Sequence, residues 1–182
     1  AVAIHLIGDA GVEQVLTYLE KYPVPEDKRD RLIHCCYVSE QQVARMKKLP
    51  VILDIQPAFV ASDFPWVLDK LGHERKGHMY AWKTFLSEGL ICAAGTDAPI
   101  EAISPFATIY AAVERKKPSD PQEGYIPAQK LTRFEAVTMY TFGSAQAICK
   151  EHERGLIKAG YDADFTILDR DLLTCASEEI VQ

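Results

Sequence analysis

Three residues able to ligate a metal ion stand at equivalent places along the chain. His5 in Ile4-His5-Leu6-Ile7-Gly8-Asp9, His34 in Arg31-Leu32-Ile33-His34 and Asp97 in Gly95-Thr96-Asp97-Ala98-Pro99 each sit where a short apolar run gives way to a polar turn. Imidazole nitrogen and carboxylate oxygen are donors that a divalent cation such as Zn²⁺ accepts. In a barrel of parallel strands the C-terminal strand ends converge on one face, so residues distant in sequence meet there. The spacing agrees: His34 follows His5 by 29 residues, close to one strand-helix repeat, and Asp97 follows His34 by 63, close to two. One further strand is expected between them, and Val51–Gln56 supplies it. Taken singly, a strand-end histidine is more often a hydrogen-bonded structural residue, and Asp97 ahead of Ala98-Pro99 also suits a turn or a helix cap. Their shared strand-end position favours a site.

The elements that must carry these residues can be read in order. Ala1-Val2-Ala3-Ile4 reads as a buried strand without a preceding cap or turn, which gives the expectation of a chain that begins inside a larger protein. Val12, Val15, Leu16 and Leu19 follow the spacing of one apolar helix face, with Asp9 placed to cap it and Pro23 and Pro25 to end it. Leu32–Cys36 is a second strand, and Ser39 with Gln42 forms a capping box for a helix that stops by Pro50. After the third strand, residues 57–78 hold Pro57, Pro65, Gly72 and Gly77 and read as a long functional loop. A helix over Tyr80–Glu88 ends at Gly89, Leu90–Gly95 is a fourth strand, and Ser104-Pro105 starts a helix with Phe106, Ile109 and Val113 inward. Residues 117–131 read as a surface excursion, and Thr132 with Glu135 caps a helix to about Lys150. Beyond Gly155, the Gly160 turn and the run Asp164–Asp169 suggest a β-hairpin. Four strand-helix units make half of an eight-stranded barrel.

Composition excludes several classes. The 182 residues are 48% hydrophobic and 25% charged, an ordinary globular balance. With a net charge of −6 and a longest basic cluster of only Arg115-Lys116-Lys117, nucleic acid is not an expected partner. No apolar run approaches the roughly 18 residues a membrane span needs, and no leader precedes the first strand, so no membrane association and a cytoplasmic setting are expected. Five cysteines, without CxxC spacing, point to reduced thiols rather than to a disulfide framework or a cysteine zinc knot.

At this point the chain resembles a known family. His5-Leu6-Ile7-Gly8-Asp9, Arg31-Leu32-Ile33-His34, Gln56-Pro57, Ser62-Asp63, Trp66, Leu71-Gly72, Glu74-Arg75, Tyr80-Ala81-Trp82 and Gly95-Thr96-Asp97-Ala98-Pro99-Ile100-Glu101 are similar to the metal-dependent amidohydrolase superfamily, in its amidohydrolase-3 branch. Ile109-Tyr110-Ala111-Ala112-Val113 and Gly155-Leu156-Ile157 through Ala163-Asp164-Phe165 extend the resemblance over nearly the whole chain. It implies an α/β fold: strands 5 to 8 of a TIM-like (β/α)₈ barrel over 1–150, followed by part of a small β-sandwich over 151–182.

The resemblance further makes His5 and His34 metal ligands, and Asp97 both a ligand and the catalytic general base, with a divalent metal, Zn foremost. The activity implied is hydrolysis of non-peptide C–N bonds, of the amide or imide class, in small-molecule substrates. The first-strand ligands of the family lie outside this sequence, so the fragment alone is expected to be inactive. A second function class stays open: a non-catalytic truncated module with an assembly or regulatory role. The chain departs from many relatives at Ile33, Cys36 and Phe59, where they carry Glu, Gln and His, changing what surrounds the ligands. His73 and His78 read as surface or substrate-side residues and His152 as a solvated helix end. Trp66, Tyr80 and Trp82 suit pocket lining and plain packing equally. A half barrel leaves strand residues such as Ile4, Ile33, Ile55 and Ala93 needing cover, from which a homo-oligomer is expected.

Overall fold

The computed structural model of the protein describes residues 1–25 and 27–182. Four parallel strands form one sheet in sequence order: β1 (Ala3–Leu6), β2 (Asp30–His34), β3 (Val51–Ile55) and β4 (Cys92–Ala94). Parallel neighbours require crossovers, and helices provide them: α1 (Asp9–Lys21), α2 (Glu40–Met46), then α3 (Phe59–Asp63), α4 (Trp66–Leu71) and α5 (Trp82–Ser87). The strand-helix alternation read from the sequence is therefore present. β1 is an exposed edge rather than a buried strand, with Ala3 and His5 open to solvent.

The register decides which residues share a face. Ile4 pairs with Leu32 and Leu32 with Leu53, while His5 pairs with Ile33, Ile33 with Asp54 and Asp54 with Ala93. Leu6, Leu32, Leu53 and Ile55 belong to the hydrophobic core with Val12, Leu16, Val43 and Met46 from α1 and α2, and Leu6 touches α1 at Gly11. The four residues expected to need a partner thus divide: Ile4 and Ile55 face the helices, and Ile33 and Ala93 face the other side. Period-two alternation alone does not reveal this, because every strand has its own phase.

Capping chemistry explains several helix ends. Ser39 accepts from Gln42 N–H while the Gln42 side chain accepts from Ser39 N–H, and Thr132 and Glu135 do the same at α7 (Arg133–Thr138). Gly89 follows α5 at a φ of +81°, and Pro105 opens α6 (Pro105–Glu114) behind Ser104. Asp9 does not cap α1: Gly8 holds the cap position, and the Asp9 carboxylate accepts from Ala10 N–H inside the first turn.

Other expectations are corrected. Residues 57–78 are not an open loop but fold into α3, α4 and a 3₁₀ turn over His73–His78, because Val60, Ala61, Phe64 and Val67 find core to bury against. The helix expected from Thr132 does form as one run over 133–147, but its middle, Met139–Gly143, is wound as a π turn that joins α7 to α8 (Ser144–Ala147). Gly143 allows that segment to lie against β4, since any side chain there would run into the Cys92 carbonyl. Arg29, just ahead of β2, donates to the Gln146 carbonyl and pairs with Glu151, which anchors the same segment at the N-terminal end of the sheet. The hairpin expected after Gly155 does not form. No strand follows Ala94 among the described residues, and Phe165 and Ile167 stay exposed with no apolar surface to meet. The chain instead returns through a 3₁₀ turn, Ser177–Val181, which rests on α6 and buries Ile180. No helix of the described residues is long and apolar enough to cross a membrane.

Candidate metal centre

β1 presents His5 on the face it shares with Ile33, and β2 ends at His34. Register pairs His34 with Leu6, so regular alternation would turn its ring toward the helices. It does not go there. His34 and Cys35 adopt left-handed backbone angles, φ +72° and +49°, and Cys35 N–H closes the turn on the Leu6 carbonyl at 2.7 Å. The His34 ring consequently meets His5 edge-on, with centroids 4.5 Å apart, and is backed by the Phe59 ring from α3 at 5.7 Å. Asp97, past the end of β4, is also left-handed at φ +58°, and its Oδ2 lies 3.9 Å from His34 Nε2, too far for a hydrogen bond. Each such non-glycine residue costs on the order of 1–3 kcal/mol and is held there only by its surroundings.

The electrostatics favour a neutral donor. Burial lowers the His34 pKa and the adjacent His5 lowers it further, outweighing Asp97, Gln56 and Asp54, which act the other way. A neutral imidazole is the form that ligates metal. His34 is buried, whereas His5 and Asp97 reach solvent. Beside them Asp54 pairs with Arg31, and Gln56 Nε2 donates to the Asp54 carbonyl at 2.8 Å, so a polar chain leads along the non-helical face to His34. In donor type the three residues fit a borderline divalent cation. In arrangement they form two neighbouring contacts rather than a closed cluster: among the described residues no three His, Cys, Asp or Glu side chains are grouped as a complete ion site.

The remaining sequence candidates disperse. Trp66 is half exposed on α4, Tyr80 and Trp82 are core residues, His73 and His152 face solvent, and His78 packs against the Tyr37 ring at 6.1 Å. Sequence reasoning passed over Asp54, Ser62 and the role of Glu101. Asp54 carried a signal, being the one charged residue in the buried strand Val-Ile-Leu-Asp-Ile. Ser62 and Glu101, 39 positions apart and hydrogen-bonded to each other, carried none beyond membership of a motif.

Comparison with known proteins decides the lineage. The profile of the amidohydrolase family matches residues 1–182. The chain belongs to the amidohydrolase family, in its amidohydrolase-3 branch. It is 48% identical to the putative amidohydrolase YtcJ of Bacillus subtilis (strain 168) over 172 residues, covering 93% of this chain and 32% of that protein. It is 30% identical to the N-substituted formamide deformylase of Arthrobacter pascens over 185 residues, covering 98% of this chain and 33% of that one. The crystal structure of an uncharacterized metal-dependent hydrolase from Pyrococcus horikoshii OT3 superimposes with a TM-score of 0.84 at 33% identity, over 97% of this chain and 35% of its own. The chain thus spans about a third of the relatives it matches. An α/β fold with a parallel four-stranded sheet, in a family of hydrolases, is the common ground.

Proposed function

We propose that this chain is the portion of a metal-dependent amidohydrolase that carries strands 5 to 8 of a TIM-like barrel over 1–150 and part of a small β-sandwich domain over 151–182. It would serve hydrolysis of a non-peptide C–N bond, amide or imide, in a small molecule, within a reducing, cytoplasmic setting that suits its five free thiols. The observation that carries the reading is the placement of His34 between His5 and Asp97, in contact with the first and 3.9 Å from the second, at the C-terminal end of a parallel sheet. The similarity to the N-substituted formamide deformylase of Arthrobacter pascens supports the C–N bond class.

His5 and His34 would hold the divalent ion, Zn foremost, with Asp97 completing the donors present here. When bound, such an ion supplies Lewis acidity and lowers the pKa of water toward neutrality. The chain's own contributions are more specific. His34, kept neutral by burial, offers a nitrogen without first losing a proton. Asp97, exposed beside it, offers a carboxylate able to take a proton from water and pass it to the departing amine. Two imidazoles and one carboxylate leave coordination positions open, so the affinity should be below that of a complete site.

Calorimetric titration of Zn²⁺ and Co²⁺ into the 182-residue chain tests the reading. One ion should bind, His5→Ala or His34→Ala should abolish binding, and Asp97→Asn should weaken it. Binding that survives both histidine substitutions, or no binding at all, overturns the assignment.

A further inference from the structure

The segment between β4 and α6 carries Asp97 but has few anchors. Its beginning is tied by Gly95 N–H to the Ile55 carbonyl. Inside it, Ala98 N–H reaches Thr96 Oγ1 at 3.2 Å and Ile100 N–H reaches the Asp97 carbonyl at 2.9 Å, bonds that shape the turn without attaching it to anything. Its apolar residues do not attach it either, since Ile100 is 69% and Ile103 82% exposed. One side-chain hydrogen bond links the segment to another element among the described residues: Ser62 Oγ, on α3, donates to Glu101 Oε1.

The same short helix touches the other half of the site. Phe59, the first residue of α3, packs its ring on His34, and Ser62 lies three residues later, on the same helix face. α3 is itself braced, because Asp63 accepts from Tyr80 OH, Tyr80 N–H donates to the Cys36 carbonyl at 2.7 Å, and the Tyr80 carbonyl accepts from Arg115 at 3.1 Å. Helix α3 therefore spans from His34 to the Asp97 segment, with a fixed support behind it.

We infer that Ser62 and Glu101 are positioning residues whose hydrogen bond holds the 96–104 segment against α3 and so sets Asp97 opposite His34. The inference rests on the reading of His34 and Asp97 as parts of one site. Hydroxyl and carboxylate suit this role, since the bond between them is charge-assisted and both side chains are half-buried, which limits competition from water.

The test uses the 182-residue chain with two disrupting variants, Ser62→Ala and Glu101→Ala, and two that keep the bond, Ser62→Thr and Glu101→Gln. Without metal, NMR order parameters of Ile100 and Ile103 should drop from the rigid range of about 0.85 to below about 0.6 in the alanine variants only. With Co²⁺ as probe, the alanine variants should bind roughly 10-fold more weakly or worse and show a changed visible spectrum, and the conservative variants should restore both. Unchanged order in both alanine variants overturns the inference. So does loosening of the segment with an unaltered Co²⁺ spectrum, which would make the bond an anchor with no influence on Asp97. If the unsubstituted chain takes up no Co²⁺, the metal reading fails, and the order parameters alone decide whether the bond holds the segment.

Discussion

At the scale of single residues, the decisive features are charges and donors placed where water is scarce. Asp97 is set apart from His34 by 3.9 Å and is open to solvent on one side, which suits the proton-accepting role proposed for it. On the proposed function, Asp97→Asn in an enzyme carrying this chain would keep the shape but remove the proton acceptor, and kcat/KM should fall by about 10²-fold or more. Near-native turnover on any cleaved substrate would assign Asp97 a structural role. Arg115 is a different case. It is fully buried, and its guanidinium donates to the carbonyls of Tyr80, Tyr125 and Gln129 while lying over the Trp82 ring at 4.6 Å. Burial pulls its pKa down to about 9, which leaves it charged at neutral pH. Arg115→Met should cost about 3–5 kcal/mol in urea unfolding, because three carbonyls, two of them in buried bonds, lose their donor at once. A loss under about 1 kcal/mol would mean that water replaces the guanidinium there.

At the scale of elements, the sheet is finished differently at its two ends. The C-terminal ends carry the candidate site. The N-terminal end is closed by the π-interrupted helix, fastened through Arg29 to the Gln146 carbonyl and to Glu151. The Arg29 hydrogen bond holds the Glu151 pKa below the ordinary 4.5. A depressed carboxylate contributes stability that is complete above its ordinary value and is lost as pH falls through the lowered one. Glu151→Gln should therefore flatten the acid side of the stability profile, measured as urea midpoint against pH. Parallel profiles for the two proteins would show that the pair adds nothing in acid.

At the scale of the molecule, the two sheet edges are unequal. β4 is shielded where Gly143 meets it, but β1 lies open with Ala3 and His5 exposed, and Ile7, Ile148, Ile157 and Ile167 add exposed apolar area elsewhere. Open edges and apolar surface promote association. The isolated chain should self-associate, visible in sedimentation velocity as a weight-average mass that rises with concentration. A concentration-independent monomer would mean that the closing helix and the returning tail cover enough surface.

What local chemistry dictates was legible in the sequence. Apolar periodicity marked strands and helices, the Ser39/Gln42 and Thr132/Glu135 boxes marked helix starts, Gly89 marked a stop, and the strand-end positions of His5, His34 and Asp97 marked the candidate site that is proposed above. These depend on residues within a turn or two of one another. The left-handed backbone at His34 and Asp97 was not legible, because neither residue type requires it and only the surrounding turn sustains the strain. Nor were the faces of Ile4 and Ile33, the burial of Arg115 or the unmade hairpin. Each is settled by contacts between residues tens of positions apart. Sequence alone determined the four strands, the crossover helices between them and several of the residues that end them; the tertiary structure decided where those ends point and whether the remaining segments fold, because both are set by what each element packs against.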